Sequence, residues 1–462
     1  MNYGITRPLT AAITMAITNP DALNDIWSPL SLFAAGEQGA WYDPSDLSTL
    51  YQDAAGTTPV TAVEQRVGKM LDKSGRGNHA FQATTTPNDK RPILSARVNL
   101  LTKTEQFDDA VWAKAGLNPF GSGSVANTTA TTDPLGGNTA DFIQENSGTV
   151  QPVIYYATTI STASTASFYV KANGRNFVQI VNSGSYANFD LTNGVVGTVS
   201  GFSNPTITSL ASGWYRVSVG IPSSTVIGTA FINSSTAGYR ASYTGDGTSG
   251  IYIWGADLRP SNIGNNIPAY QRVNTATDYD TTGFPYYLKA DGTYTSMSTN
   301  SIDFSATDKM TVVSGVRKLS DASVAIVLEF SASVISYAGS FWIAAPISAG
   351  GANYSWASRG TLRINSDASP YASPIANVVT GVSNIADPVT AIRVNSSQIT
   401  TSSASQGTGT YGNYPLYLFA RANASLFLNG YFYGAIIRGA TTSGTDLTNA
   451  ESYMNTQSGG LY

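Results

Sequence analysis

Short segments that alternate apolar and polar residues, each closed by a turn signal, recur along most of this chain. Residues 167–171, 177–181, 214–219 and 251–254 are examples, rich in Val, Ile, Tyr, Phe and Trp, and Asn-Gly or Asp-Gly turns lie between such segments. β-branched and aromatic residues favour strands, whereas the abundant Ser, Thr, Asn and Gly are poor helix formers. The pattern predicts an all-β protein made of sandwich or jelly-roll domains.

Composition supports a folded chain and excludes several classes of protein. The 462 residues allow two or three domains, and 42% hydrophobic residues with 26 Tyr argue against disorder. A net charge of −4 excludes a general nucleic-acid binder, and the absence of cysteine excludes disulfides and thiolate sites. No apolar run reaches the ~20 residues that a membrane span needs, and the first residues lack the pattern of a secretory signal.

The first 35 residues differ from the rest of the chain. Apolar residues from Leu9 to Ile17 follow helical spacing, and Pro20 would end that helix. A second apolar cluster consists of Leu23, Ile26, Trp27, Leu30, Leu32 and Phe33. So short an amphipathic piece needs a partner surface. Two alternatives stay open: residues 1–35 pack on their own domain, or they form an anchor that docks on another subunit.

Strand patterns resume after Tyr286 and continue almost to the end of the chain. Residues 427–437 predict two strand ends joined by a hairpin turn at Asn429-Gly430. The segment from Asp446 to Met454 predicts a short helix with Thr445 as its N-cap.

Two separated parts of the chain carry one family resemblance. The stretches Trp-Tyr-Asp-Pro at 41–44 and Asp-Lys-Ser-Gly-Arg-Gly-Asn-His-Ala at 72–80 resemble the opening of tailed-phage virion proteins that have a concanavalin A-like (laminin-G-like) sandwich. The phrases at 288–292 and 304–311 resemble the continuation, and those at 418–421 and 427–430 the close. In that family the opening and the continuation follow each other closely, whereas a long stretch separates them here.

The intervening stretch resembles the carbohydrate-binding-module-like jelly rolls of phage fibres and other virion proteins. The matching segments, in order, are residues 99–107 with Trp112, 167–172, 189–191, 213–217 and 251–256. The usual Gln-Leu-Glu ending is replaced by Asp257-Leu258-Arg259. Together the two resemblances imply a nested architecture, because insertion is tolerated at an exposed loop. In this architecture residues 1–35 would be the anchor segment, residues 36–97 plus 270–462 the discontinuous sandwich, and residues 98–269 the inserted jelly roll.

Catalytic candidates are few. A Ser-His-Asp triad would have to use His79, the only histidine, which sits in a turn and is interpreted as structural. The acidic pairs lie in turn contexts and are interpreted as solvated loop carboxylates: Asp43 with Asp46, Asp108 with Asp109, and Asp278 with Asp280. Asp246-Gly247 and the last pair lack the spacing of a calcium loop. The Glu-x-Asp-x-x-Glu strand of concanavalin A-like glycosidases, or its shorter variant, is also absent. No catalytic residue, cofactor or metal is predicted.

A sugar-binding site usually contains an exposed aromatic ring and a few planar hydrogen-bonding side chains. The tryptophans in or beside predicted strands are Trp112, Trp214, Trp254, Trp342 and Trp356. A strand tryptophan buries a large apolar area and is more often core than platform. The resemblance places Trp214 and Trp254 at core-like positions, and glycan-binding residues are left unassigned.

The resemblance implies a non-enzymatic structural protein on the exterior of a tailed-phage virion, as a capsid decoration, head fibre, or tail, collar or baseplate fibre. Residues 1–35 would dock it to other virion proteins, and fibres and decorations are commonly homo-oligomers, often trimers. One alternative is a tail fibre or spike that binds host-surface polysaccharide. A polysaccharide depolymerase is the enzymatic alternative.

Overall fold

The computed structural model describes residues 27–160, 163–260 and 267–462. These fall into two compact units, of which one combines the residues up to Ala96 with Pro285–Tyr462 and the other is Arg97–Phe284. We call them the outer domain and the inserted domain, because the second interrupts the first in sequence. Strands dominate both, so the prediction of an all-β protein is confirmed.

The outer domain opens with short strands. They are β1 (Gly39–Tyr42), β2 (Leu50–Tyr51), β3 (Lys69–Met70), β4 (Ala80–Phe81) and β5 (Ile93–Ser95). Two 3-10 helices lie among them, Pro29–Phe33 before β1 and Leu47–Thr49 before β2.

The inserted domain contains the next thirteen strands and a 3-10 helix, Ala211–Gly213. The strands are β6 (Trp112–Ala115), β7 (Asp141–Gln144), β8 (Ser147–Val150), β9 (Val153–Ile160), β10 (Ser164–Asn173), β11 (Phe177–Val181), β12 (Tyr186–Asp190), β13 (Val195–Ser200), β14 (Ser203–Ser209), β15 (Trp214–Ile221), β16 (Ser224–Ile232), β17 (Tyr243–Asp246) and β18 (Gly250–Arg259).

The outer domain then resumes with twelve strands and one α-helix, α1 (Gly444–Gln457). The strands are β19 (Tyr287–Asp291), β20 (Met297–Asp303), β21 (Lys309–Lys318), β22 (Ile326–Phe330), β23 (Ser340–Ala344), β24 (Tyr354–Arg359), β25 (Arg363–Ala368), β26 (Ile375–Asn384), β27 (Val389–Val394), β28 (Ser397–Ser402), β29 (Asn413–Leu418) and β30 (Asn429–Arg438).

The outer domain is a sandwich of two antiparallel sheets. One has the order β28-β27-β26-β21-β30-β19-β5, with β1 also paired to β30, and the other the order β2-β3-β4-β20-β29-β22-β23-β24-β25. Val312 and Ile437 of the first sheet share one buried core with Phe341 and Trp356 of the second. The contact is close, because a Cβ at Gly381 would lie 2.1 Å from the Trp356 ring. Such interdigitation of two inner faces holds a sandwich together.

A smaller apolar cluster joins α1 and the first 3-10 helix to the first sheet. Leu32 and Phe33 are buried there with Val313 and Met454. The indole N–H of Trp27 donates to Asp446 near the start of α1 at 3.2 Å. Residues 27–35, predicted as part of an anchor, therefore pack on their own domain. The helix predicted between Leu9 and Ile17 lies outside the described residues, as do Leu23 and Ile26.

Two local predictions in the outer domain need correction. The hairpin predicted at Asn429-Gly430 is wrong, because both residues belong to the continuous strand β30. Gly430 pairs with Lys318, and a Cβ there would lie 2.3 Å from the oxygen of Arg317, so close strand packing explains the glycine. The C-terminal helix exists, but its N-cap is Ser443, and Thr445 lies inside the first turn.

The inserted domain is a second antiparallel sandwich. Its main sheets have the orders β14-β15-β10-β18-β7 and β13-β12-β11-β16-β9-β6, and β17 pairs with β8. Phe168 and Val217 of the first sheet meet Ile154 and Phe189 of the second in a single core.

The inserted domain ends later than the expected residue 269. Val273 pairs with Tyr279 in a β-bridge, and its oxygen accepts the N–H of Thr104 at 3.1 Å. The Gln271 carboxamide accepts the N–H of Asn99 at 3.0 Å. Residues 270–284 therefore belong to the inserted domain.

Candidate functional site

His79 lies in the turn before β4 and is held by backbone. Its Nδ1 accepts the N–H of Asp72 at 3.0 Å. Partial burial lowers the pKa of the imidazole, and the nearby Lys69 charge lowers it further, so the ring is neutral at pH 7. Among the described residues, no serine hydroxyl is hydrogen-bonded to it, so this part of the chain assembles no Ser-His-Asp triad around His79.

The acidic pairs are engaged in ion pairs and turns. Asp43 and Asp46 both lie 2.8 Å from the Lys73 ammonium. Asp43 is buried and also accepts the Tyr453 hydroxyl at 2.9 Å. The expectation of a solvated loop carboxylate is wrong for Asp43, because the lysine and the tyrosine replace its water.

The other acidic residues form local contacts. Asp278 and Asp280 share the guanidinium of Arg272 at 3.1 and 3.2 Å. Asp109 lies 3.6 Å from the Lys103 ammonium, and Asp108 is exposed. Asp246 closes its turn by accepting backbone N–H groups. Within the three described ranges, no three His, Asp or Glu side chains are grouped so that they could share a metal ion.

All five tryptophans singled out in the sequence are buried: Trp112, Trp214, Trp254, Trp342 and Trp356. The indole N–H of Trp214 donates to the Thr132 oxygen at 2.9 Å, and that of Trp254 to the Thr139 hydroxyl at 2.7 Å. A buried indole with a bonded N–H is a core side chain. None of these rings offers a flat, exposed face to a sugar.

The outward face of the six-stranded sheet carries a different aromatic group. Side chains alternate between the two faces of a strand, and Ile154 of β9 points into the core. Val153 and Tyr155 therefore face outward, where they cluster with Val181 and Tyr186. Val153 and Val181 are nevertheless buried, so other parts of the inserted domain cover this apolar strip.

The loop 233–242, between β16 and β17, is fastened over this face by two buried amides. The Gln179 oxygen accepts the N–H of Arg240 at 2.9 Å, and its amide donates to the Gly238 oxygen at 3.1 Å and to Asn188 at 2.7 Å. Gln179 and Asn188 are both fully buried. Because buried amides are costly to leave unpaired, these bonds fix the loop on the sheet.

The loop and the sheet line a cavity of about 140 Å³ that is open to solvent. Its wall combines apolar and tyrosine side chains with two planar polar ones: Val153, Tyr155, Val181, Asn182, Val226, Tyr239 and Arg240. The ring of Tyr239 is 40% exposed and lies 6.4 Å from that of Tyr186. We call this the sheet-face cavity.

The polar members of the sheet-face cavity keep hydrogen-bonding capacity. The Nε of Arg240 is buried with no bonding partner among the described residues, and Nη2 has only a long contact of 3.5 Å to the Gln151 oxygen. No described carboxylate lies within ion-pair distance of this guanidinium. The Asn182 oxygen accepts the Ser185 N–H at 3.3 Å. An aromatic wall with a few oriented donors is the usual composition of a small-ligand site.

Sequence reasoning did not find these residues. Tyr155 and Tyr156 are adjacent in β9, and only the strand register shows which of them faces outward. Tyr239 and Arg240 lie in a loop with no periodic pattern. Only Gln179 and Asn188 could have indicated this region, because amide side chains in the middle of apolar strands require hydrogen-bond partners.

No protein-family model and no curated protein matches the chain. Among solved structures, the binding domain of botulinum neurotoxin serotype D is similar, with 9% identity and a TM-score of 0.29 over 36% of this chain and 42% of the toxin domain. The type G receptor-binding domain has 8% identity and a TM-score of 0.28, again over 42% of its length. The CBM40 of the Ruminococcus gnavus IT-sialidase, bound to α2,3-sialyllactose, has 11% identity and a TM-score of 0.27 over 34% of this chain and 97% of the module. These similarities are too low to transfer a function.

No helix in the described ranges is long and apolar enough to cross a membrane.

Proposed function

We propose that this protein is a non-enzymatic structural component of a tailed-bacteriophage virion, displayed on the particle exterior as a capsid decoration or fibre, and that its inserted domain binds host-surface glycans. The sheet-face cavity is the observation that carries the binding part. The virion part is supported by the two sequence resemblances, which place a jelly-roll pattern inside a sandwich pattern of phage virion proteins.

The chemistry of the sheet-face cavity suits a sugar. Sugars present an apolar ring face and a rim of hydroxyls, and the rings of Tyr155 and Tyr239 supply apolar surface with a polar edge. Arg240 and Asn182 supply planar hydrogen-bonding groups beside them. The volume of about 140 Å³ is below the ~300–1,000 Å³ of ordinary small-ligand sites, so the cavity would hold only a small part of a longer glycan.

The binding experiment compares host polysaccharide binding by the full chain and by Tyr155→Ala and Tyr239→Ala. We expect each variant to weaken binding about tenfold, the loss that corresponds to about 1.4 kcal/mol of ring contact. Tyr294→Ala, which removes an equally exposed ring of the outer domain, is the matched control and should bind normally. No binding of the wild-type chain to host surface polysaccharide, or equal binding by all variants, would overturn the glycan proposal. Release of reducing ends would show a depolymerase instead.

The virion experiment asks whether purified phage particles contain the protein on their surface. Labelling of intact particles by a specific antibody, with a fixed copy number by mass spectrometry, is the expected result, and absence from purified particles would refute it.

The attachment segment is tested by deleting residues 1–26. Residues 27–35 must be kept, because Leu32 and Phe33 fill the core under α1. The deleted chain should fold but no longer join particles, and light scattering on the intact chain checks the expected homo-oligomer, such as a trimer.

A further inference from the structure

The outer domain contains a larger cavity that the proposed function does not use. Its volume is about 480 Å³, within the ~300–1,000 Å³ of ordinary small-ligand sites. The side chains that matter for its chemistry are Lys69, His79, Phe81 and Asn300. We call it the His79 cavity.

The turn at residues 72–80, singled out in the sequence as dense in turn-forming residues, builds one wall of the His79 cavity. The Asp72 carboxylate accepts the N–H groups of Trp41 at 2.9 Å, Ser74 at 2.8 Å and Asn78 at 3.0 Å. The Asn78 amide in turn donates to the Gly39 oxygen at 2.7 Å. The carboxylate thus ties the turn to β1, and the wall is formed before any ligand arrives.

The same turn sets the tautomer of His79. Because Nδ1 accepts the Asp72 N–H, the proton of the neutral ring is on Nε2. No described residue accepts a hydrogen bond from Nε2, and His79 lines the cavity. The imidazole therefore offers one fixed donor to a ligand.

Lys69 supplies positive charge to the same space. Its ammonium makes only a long contact of 3.4 Å to the Ala55 oxygen. No carboxylate of the described residues lies within ion-pair distance of Lys69, and neither Asp nor Glu lines the cavity. Phe81 contributes a half-buried ring, and Asn300 an exposed amide. A cation, a neutral N–H donor and an apolar ring, without a competing anion, match a ligand that has a carboxylate on an apolar-faced body.

We infer that the His79 cavity binds an acidic sugar unit, whose carboxylate accepts from Lys69 and from Nε2 of His79 while its ring lies against Phe81. The site is separate from the sheet-face cavity, which belongs to the inserted domain. The ligand of the outer domain would then be a uronic acid, a sugar unit that is common in acidic polysaccharides.

The test measures the binding of methyl β-D-glucuronide and of methyl β-D-glucoside to the full chain by calorimetry and ligand-observed NMR. The two ligands differ only in the carboxylate. Lys69→Met removes the charge at similar length. His79→Asn keeps an acceptor near Nδ1 for the Asp72 N–H but removes the Nε2 donor. Lys289→Met removes an exposed lysine of the same domain that does not line the cavity and serves as the control.

We expect the glucuronide to bind at least about tenfold more tightly than the glucoside, the difference that one charge-assisted hydrogen bond supplies. Lys69→Met and His79→Asn should each remove most of that preference, while Lys289→Met and the Tyr155→Ala variant of the sheet-face cavity leave it intact. Equal binding of both ligands, or an unchanged preference in Lys69→Met, would overturn the inference. Sodium phosphate binding as tightly as the glucuronide would overturn the sugar assignment. Because the sheet-face variants are measured alongside, failure here is distinguishable from failure of the proposed glycan site.

Discussion

The stability of the inserted domain should fall as the pH rises from 5 to 8, because of one buried carboxyl. Asp141 at the start of β7 is fully buried and accepts the N–H groups of Phe107 and Asn127, each at 2.8 Å. Burial raises the pKa of Asp141 to about 7, from an ordinary value of 3.8. Burial also raises the pKa of Glu105 in the same domain.

The direction of this change in stability follows from the number of protons that the folded and unfolded states bind. Between about pH 4 and 7 the folded state holds a proton on Asp141 that the unfolded state has released, so the free energy of unfolding decreases with pH across that window. At about 1.4 kcal/mol per pH unit, the two units from pH 5 to 7 amount to about 3 kcal/mol, and the curve then flattens. The lowered pKa of His79 makes stability rise with pH instead, but this effect belongs to the outer domain.

Urea unfolding of the full chain at pH 5, 6, 7 and 8, beside Asp141→Asn, measures the effect. The variant loses the titrating group, so its pH slope should be flatter than that of the wild type by about 3 kcal/mol over the range. The informative quantity is the slope, because an amide at position 141 can accept only one of the two N–H groups. Parallel pH curves for the two proteins would refute the reasoning.

Two further predictions concern packing and charge. Arg175→Met should destabilise the inserted domain by about 3–5 kcal/mol in urea unfolding, because it leaves the fully buried Glu145 without its ion-pair partner at 2.5 Å. Replacing Glu145 by Gln in the same variant removes the unpaired charge and should restore part of that loss. In thermal melts, Gly381→Ala should lower the free energy of unfolding of the outer domain by about 1–3 kcal/mol, since its Cβ would overlap the Trp356 ring. Gly238→Ala, where a Cβ meets open space, should change the stability of the inserted domain by less than about 0.5 kcal/mol.

The fold class followed from the sequence because strand alternation and turn residues are local properties. Segments such as 167–171 and 251–254 lie within β10 and β18, and a C-terminal helix is present, although it begins two residues before the predicted start. The Asn429-Gly430 hairpin failed because the dipeptide signal ignores tertiary context. That glycine is required by the close passage of β21, a strand more than 100 residues away in the chain.

The candidate sites were less accessible to sequence reasoning for the same physical reason. The sheet-face cavity depends on the register of β9 and on a loop held by Gln179, and the His79 cavity joins residues of β3, β4 and β20. The sequence shows His79 just before a strand, but its free Nε2 follows only from the backbone N–H that occupies Nδ1. Burial of Asp43 likewise depends on Tyr453, which no local pattern connects to it.

The pairing of β1 with β30 has a consequence for synthesis on the ribosome. Gly39 lies beside Arg438, so the earliest strand of the outer domain has no partner until nearly the whole polypeptide has been translated. The inserted domain is contiguous, and all of its strands emerge before β19. Domains fold as units during translation, and long-range pairing is slow. The inserted domain should therefore become protease-resistant on stalled nascent chains while β1 and β5, which pair with β30 and β19, still lack their partners.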